Sequence, residues 1–169
     1  TCGLPFFQPA YLQEYKFSIS SAKLKTRDNT IDVLRQQISS PSFPLTIDKF
    51  SATIDYKSFE IEKDFYISDN IKVKTIALNH PDGATGYRIE SNNKSVCYVT
   101  DHEHELDKDN IKLYNFLKGA DVLIYDSTYD DDEFSKYIGW GHSTWQEAVR
   151  IAKACNIKKL FIFHHNPES

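Results

Sequence analysis

Residues 142–163 read HSTWQEAVRIAKACNIKKLFIF, an amphipathic stretch running into an apolar one. Ala148, Val149, Ala152 and Cys155 fall on one stripe, which predicts a helix over 142–157. Two capping-box pairs mark its start, Ser143 with Gln146 and Thr144 with Glu147. Lys159-Leu160-Phe161-Ile162-Phe163 reads as a buried strand, and upstream Ala120-Asp121-Val122-Leu123-Ile124-Tyr125 reads as another. Strand, helix, strand in that order is a βαβ unit, so the fold class is α/β.

Outward from this unit the period changes. From Ile47 to Leu78 apolar and polar residues alternate, as in Thr53-Ile54-Asp55-Tyr56, Phe65-Tyr66-Ile67 and Ile71–Ile76. These predict antiparallel strands with one wet face. HPDG (80–83) has turn chemistry, and GYRIE and SVCYV flank SNNK (91–94) as a hairpin. Ile31, Leu34 and Ile38 predict a helix over 28–40, capped by Asp28 or Asn29 and ended by SPSFP. The opening GLPFFQPAY (3–11) is aromatic and Pro-broken, and is expected to fold over something.

The 169 residues suffice for one domain with a real core, and 40% hydrophobic with 26% charged residues is an ordinary globular balance. A net charge of −4 excludes a basic footprint for duplex nucleic acid over the chain as a whole. Cys2, Cys97 and Cys155 form no CxxC pair and no disulfide framework, which points to a reducing cytoplasm and to small buried side chains. No apolar run approaches the ~20 residues of a membrane span. The chain has no methionine and opens abruptly on TCGLPFF, which reads as a piece of a longer protein.

All six histidines fall at the ends of elements: His80 after the run ending at Leu78, His102 and His104 after Val99, His142 before the helix, His164 and His165 after Phe163. YVTDHEH (98–104) adds Asp101 to the same kind of position. Strand ends hold side chains rigidly, and imidazole nitrogens with carboxylate oxygens suit zinc or manganese. Asp101 has two oxygens and can bridge two ions. A lone histidine at a strand end is ordinarily a solvated loop residue. Three independent strand ends terminating in His or Asp make that reading harder to hold.

The succession GLPFFQPAY, LNHPDGATGYRIE, YVTDHEH, LIYDSTY, GWGHSTWQEA and LFIFHH resembles the metallo-β-lactamase superfamily, in its phosphodiesterase-like branch with ribonuclease Z and the cyclic phosphodiesterases. The resemblance implies an αββα sandwich holding two divalent metal ions, zinc first, with manganese or iron as alternatives. It implies His80 as a ligand of the first ion, Asp101 as the bridge, and His164, in preference to His165, as a ligand of the second. His102 and His104 match no ligand; solvent exposure is the expectation for His102, and His104 and His165 are candidates for outer-shell or substrate contacts. LIYDSTY stands where ribonuclease Z has its HEAT motif, with Tyr125 in place of His and Asp126 in place of Glu, which makes Asp126 a further candidate. His142 is a candidate to handle a proton or a phosphate. The signature HxHxDH, which supplies the remaining ligands, belongs just before GLPFF. Residues 1–169 are therefore expected to form a single domain, the C-terminal two-thirds of an incomplete fold.

The implied protein is a cytoplasmic metal-dependent hydrolase of a small-molecule or nucleotide phosphodiester, possible as a homodimer, with Asp101 and His142 catalytic. Nucleic acid as substrate has no support from charge, and a membrane partner has none. The aromatic side chains Phe6, Phe7 and Tyr11 are candidates to wall the pocket or simply to pack a core. Two alternatives stay open: hydrolysis of a thioester, lactam or lactone on the same fold, and a non-catalytic sensor or binding domain that retains it.

Overall fold

The computed structural model describes residues 3–23, 29–106 and 110–167, and the chain divides into two compact units, Thr1–Glu60 and Ile61–Ser169. Cys2 and Asp28 lie outside the described residues.

In the first unit, β1 (Lys16–Ala22) and β2 (Thr53–Phe59) flank helix α1 (Thr30–Gln37). Asn29 caps the helix, its side chain accepting from the Ile31 N–H at 3.1 Å. Leu34, Ile38 and Ile47 are buried, with Ile19, Ile31 and Tyr56 packed against them. The alternating stretch beginning at Thr53 was expected to pair antiparallel; it pairs parallel with β1, from Lys16 opposite Thr53 to Ala22 opposite Phe59. Alternation reports one wet face and says nothing of a neighbour's direction, so the error lay in the pairing and not in the strand. The opening aromatics stay within this unit: Phe6 meets Phe43, Phe7 meets Phe17 and Tyr11 meets Phe50, all edge to face.

The second unit carries β3 (Phe65–Ser68), β4 (Ile71–Leu78), β5 (Ala84–Ser91), β6 (Lys94–Val99), α2 (Ile111–Leu117), β7 (Val122–Asp126), α3 (Asp131–Phe134), α4 (Trp145–Ala154) and β8 (Lys159–Phe163). The strands form one sheet in the order β3-β4-β5-β6-β7-β8. Pairing is antiparallel from β3 to β6 and parallel from β6 to β8. It follows that β4, β6, β7 and β8 all run the same way and deliver their carboxyl ends to one edge. Asn92 and Asn93 close the β5–β6 hairpin with φ of 49° and 59°, a left-handed pair that asparagine tolerates.

One face of this sheet is the core. Ile76, Leu78, Cys97, Val99, Leu123 and Tyr125 meet Leu113 and Leu117 of α2 and Ala148 and Ile151 of α4. Each fully buried aliphatic side chain of this kind contributes about 1.5–3 kcal/mol. The α4 stripe differs from the expected one by a small rotation: Ile151 and not Val149 reaches the core. Of the two capping pairs only Thr144 with Glu147 forms, the Thr144 hydroxyl accepting from the Glu147 N–H at 3.1 Å. Ser143 is drawn instead to His104, and Gln146 accepts from the Asp131 N–H. On the opposite face Val96, Tyr98, Phe161 and Phe163 are exposed. Among the described residues no helix is long and apolar enough to cross a membrane.

Candidate metal centre

Parallel register sets the geometry. Val99 lies opposite Tyr125 and Tyr125 opposite Ile162, so the chain beyond each strand leaves the sheet at one level. There it yields Asp101 after β6, Asp126 at the tip of β7 and His164 after β8. Asp101 and His164 both adopt left-handed backbone, with φ of 59° and 63°. Non-glycine residues held there cost about 1–3 kcal/mol each and cluster at functional sites. His142 joins from the loop between α3 and α4, which is pinned by a parallel bridge between Tyr129 and Thr144. One ligand atom from each of Asp101, Asp126, His142 and His164 lies within 4.8 Å of the others.

Asp126 organises the group. No solvent reaches it. Its Oδ2 accepts from the Asp101 N–H at 2.9 Å, the His102 N–H at 3.2 Å and His142 Nδ1 at 2.9 Å. Its Oδ1 accepts from the Thr128 N–H at 3.2 Å, the Thr128 hydroxyl at 2.9 Å and the Ser143 N–H at 3.1 Å. A carboxylate offers about four lone-pair sites, so both oxygens are committed. A buried carboxylate of this kind is retained because every lone pair is used.

Asp101 and His164 differ. Asp101 Oδ1 is 3.4 Å from His164 Nε2. The Thr128 hydroxyl lies 2.9 Å from His164 Nδ1, and its one proton has two oxygen acceptors, Asp126 Oδ1 at 2.9 Å and the His164 carbonyl at 2.8 Å. With that proton committed to an oxygen, Nδ1 of His164 donates its own hydrogen to the Thr128 hydroxyl oxygen, and Nε2 faces a carboxylate oxygen. An imidazole nitrogen and a carboxylate oxygen facing each other are satisfied by a shared proton or by a cation held between them. An imidazole with its far nitrogen hydrogen-bonded is oriented as metal-binding histidines are. The donor set of carboxylate and imidazole suits zinc. Asp101 and His164 thus fit an ion, and His142, with Nδ1 taken by Asp126, keeps Nε2 available. The His142 and His164 rings stack at 4.6 Å.

The other candidates separate. The His80 ring lies 5.7 Å from the His142 ring, adjacent to the group although not one of its four. His104 pairs with the Ser143 hydroxyl at 2.7 Å and stacks on Phe134 at 4.2 Å; burial lowers its pKa. His165 is exposed. His102 was expected in solvent and is 2% exposed. Its Nδ1 accepts from the Asn79 N–H, and desolvation pushes its pKa down to about 4, which keeps the ring neutral. The sequence gives no warning of this, because the turn that buries His102 is closed by Asn79 from a distant strand end. Tyr125 is wholly buried in the core, and burial pushes its phenol above the usual range, so it handles no proton at this edge. Thr128 was missed, though its place two residues past Asp126 in the same strand-end segment is a usable signal.

Comparison with known proteins bears on this arrangement. The family description "Beta-lactamase superfamily domain" matches residues 4–165. Ribonuclease Z of Sulfurisphaera tokodaii is 28% identical over 164 residues, covering 71% of this chain and 55% of its own length. The zinc phosphodiesterase ELAC protein 1 of Bos taurus is 35% identical over 71 residues, 42% of this chain and 19% of its own. The chain thus spans about half or less of the curated relatives it matches. Among solved structures, human tRNase Z, short form, superposes with a TM-score of 0.65 at 17% identity, over 92% of this chain and 62% of that one. That likeness is one of fold.

Proposed function

The chain belongs to the beta-lactamase superfamily, and we propose that the protein it represents is a metal-dependent hydrolase of phosphodiester bonds. The observation that carries this reading is the approach of Asp101 Oδ1 to His164 Nε2 at 3.4 Å, within a group of four side chains whose ligand atoms lie within 4.8 Å of one another. Divalent ions bound there, zinc first among them, would supply a hydroxide at neutral pH and charge to steady the phosphoryl oxygens. Asp101 and His164 would hold the ion, with His80, whose ring lies 5.7 Å from that of His142, as a further ligand. His142, its Nδ1–H held by Asp126, presents the Nε2 lone pair to take up a proton, which the resulting imidazolium, steadied by Asp126, passes to the leaving oxygen. Asp126 sets the tautomer of that ring and the position of the Asp101 backbone, and is a positioning residue.

Relatives named ribonuclease Z and zinc phosphodiesterase support a phosphodiester over a lactam, and RNA over a small molecule. The net charge of −4 supplies no general attraction for a polyanion, so recognition falls to the metal end of the sheet. Cytoplasmic location and a homodimer are part of the same proposal; the buried free thiols Cys97 and Cys155 suit a reducing compartment. The test is turnover of zinc-loaded protein on bis(p-nitrophenyl) phosphate against nitrocefin and an acyl-lactone. Preference for the phosphodiester is expected. Faster turnover of either other substrate overturns the reading, and zinc binding without turnover of any points to a binding module.

A further inference from the structure

Glu103 is a carboxylate with 9% of its surface exposed, in the turn between Asp101 and His104. Its Oε2 accepts two backbone hydrogens from one loop, the Gly139 N–H at 2.7 Å and the Gly141 N–H at 2.9 Å. The Glu103 backbone is locked to a second loop: its N–H donates to the Asn79 carbonyl at 2.8 Å, and its carbonyl accepts from the Asn79 amide at 3.0 Å. Asn79 immediately precedes His80, and Gly141 immediately precedes His142. One residue therefore ties the segment that ends in His80 to the segment that ends in His142.

The contact it enforces is tight. A Cβ built on Gly141 would lie 2.3 Å from Cδ2 of the His80 ring and 2.8 Å from Cδ of Pro81, and the φ there is +89°. Backbone and imidazole touch with no side chain between them. The other contacts described for Trp140, its N–H to the Tyr137 carbonyl and its ring edge-on to that of Tyr137, stay within the loop.

From this geometry we infer that Glu103 is a positioning residue, which clamps the Gly139–Gly141 strap against His80 and thereby fixes the spacing of the His80 and His142 rings. The link to turnover rests on the hydrolase reading above; the link to zinc affinity and loop order does not. What the clamp requires is an acceptor oxygen at the reach of a glutamate side chain, not a charge.

The experiment compares Glu103→Gln, which keeps reach and loses charge, with Glu103→Asp, which keeps charge and loses reach, and with Glu103→Ala. Three quantities are measured on the full protein: amide hydrogen exchange of the segment 137–142, zinc affinity by chelator competition, and kcat and KM on bis(p-nitrophenyl) phosphate. Glu103→Asp and Glu103→Ala should speed exchange at Gly139 and Gly141 and weaken zinc by about 10–100-fold, the usual cost of losing a group that orients metal ligands. Glu103→Gln should stay within a few-fold of wild type in both. If Glu103→Ala fails to fold, the order of the other two decides. Glu103→Asp outperforming Glu103→Gln overturns the inference, as does wild-type exchange in Glu103→Asp. A wild-type protein inert toward phosphodiesters would sink the proposed reaction alone, since exchange and zinc affinity are read without turnover.

Discussion

Nδ1 of His142 lies 2.9 Å from Oδ2 of Asp126, and no surface of that carboxylate touches solvent. The ring is thus fixed in one tautomer by a charge that is itself fixed by five further donors from the backbone and Thr128. Asp126→Asn turns one acceptor oxygen into an NH₂ facing N–H groups. Loss of a buried, fully paired carboxylate of this kind should cost about 3 kcal/mol of stability. Removing the group that orients a proton donor should lower kcat by about 100-fold. Zinc uptake should survive in large part, since Asp126 has no lone pair to give. Thermal unfolding, steady-state kinetics and metal analysis on the one variant check all three, and loss of zinc altogether would return Asp126 to the ligands.

Asp101→Ala and His164→Ala should behave in the opposite sense. Each removes one of two groups set 3.4 Å apart and leaves the left-handed backbone in place, since alanine keeps its Cβ there. Stability without metal should change little, whereas zinc stoichiometry and hydrolysis should both collapse. Elemental analysis of the purified variants decides, and full zinc content in Asp101→Ala would refute its role.

Gly141→Ala puts a methyl group 2.3 Å from the His80 ring and forces alanine to a φ of +89°. Overpacking of this kind costs about 1–3 kcal/mol. The expected result is a lowered unfolding midpoint together with weaker zinc binding. A variant as stable as wild type, with unaltered zinc affinity, would mean that strap and histidine separate freely.

Cys97 is fully buried, and desolvation pushes its thiol up to about 11 from a model-peptide value of 9.0. Between those values the unfolded chain loses a proton that the folded chain keeps. Stability from this group is therefore complete below pH 9 and is lost as pH rises toward 11, by about 3 kcal/mol in all. Denaturant titrations of wild type and Cys97→Ala should show the wild type falling more steeply across that window. Parallel slopes would contradict it. Folded protein at pH 8 should also resist alkylation at Cys97.

Much of the candidate site was legible as a cluster because its residues break apolar runs. Asp101 and His164 follow Val99 and Phe163 closely, and strands that stop at ionisable groups announce an edge. The β7–α4–β8 unit was legible from periodicity and from the Thr144 cap. What escaped was set by partners far along the chain. Asp126 stood out as a change of residue type, but its role depends on donors from residues 101, 102, 128, 142 and 143 converging on it. His102 and Glu103 looked like the solvated half of TDHEH until Asn79 closed over them. Strand β1, KFSISSA, is half exposed along most of its length and rich in serine, so no apolar run marked it.

The register that levels β6, β7 and β8 also has a kinetic consequence. Asp101, Asp126 and His164 come within ligand distance only when two parallel pairings, both between strands distant in sequence, have formed. Such pairings form late, because loop closure must precede any reward from contact. Zinc therefore has nothing to template in the unfolded chain and should leave the refolding rate nearly unchanged. Its whole effect should appear as slower unfolding, so that metal acts as a latch on the finished sheet and not as a seed for it.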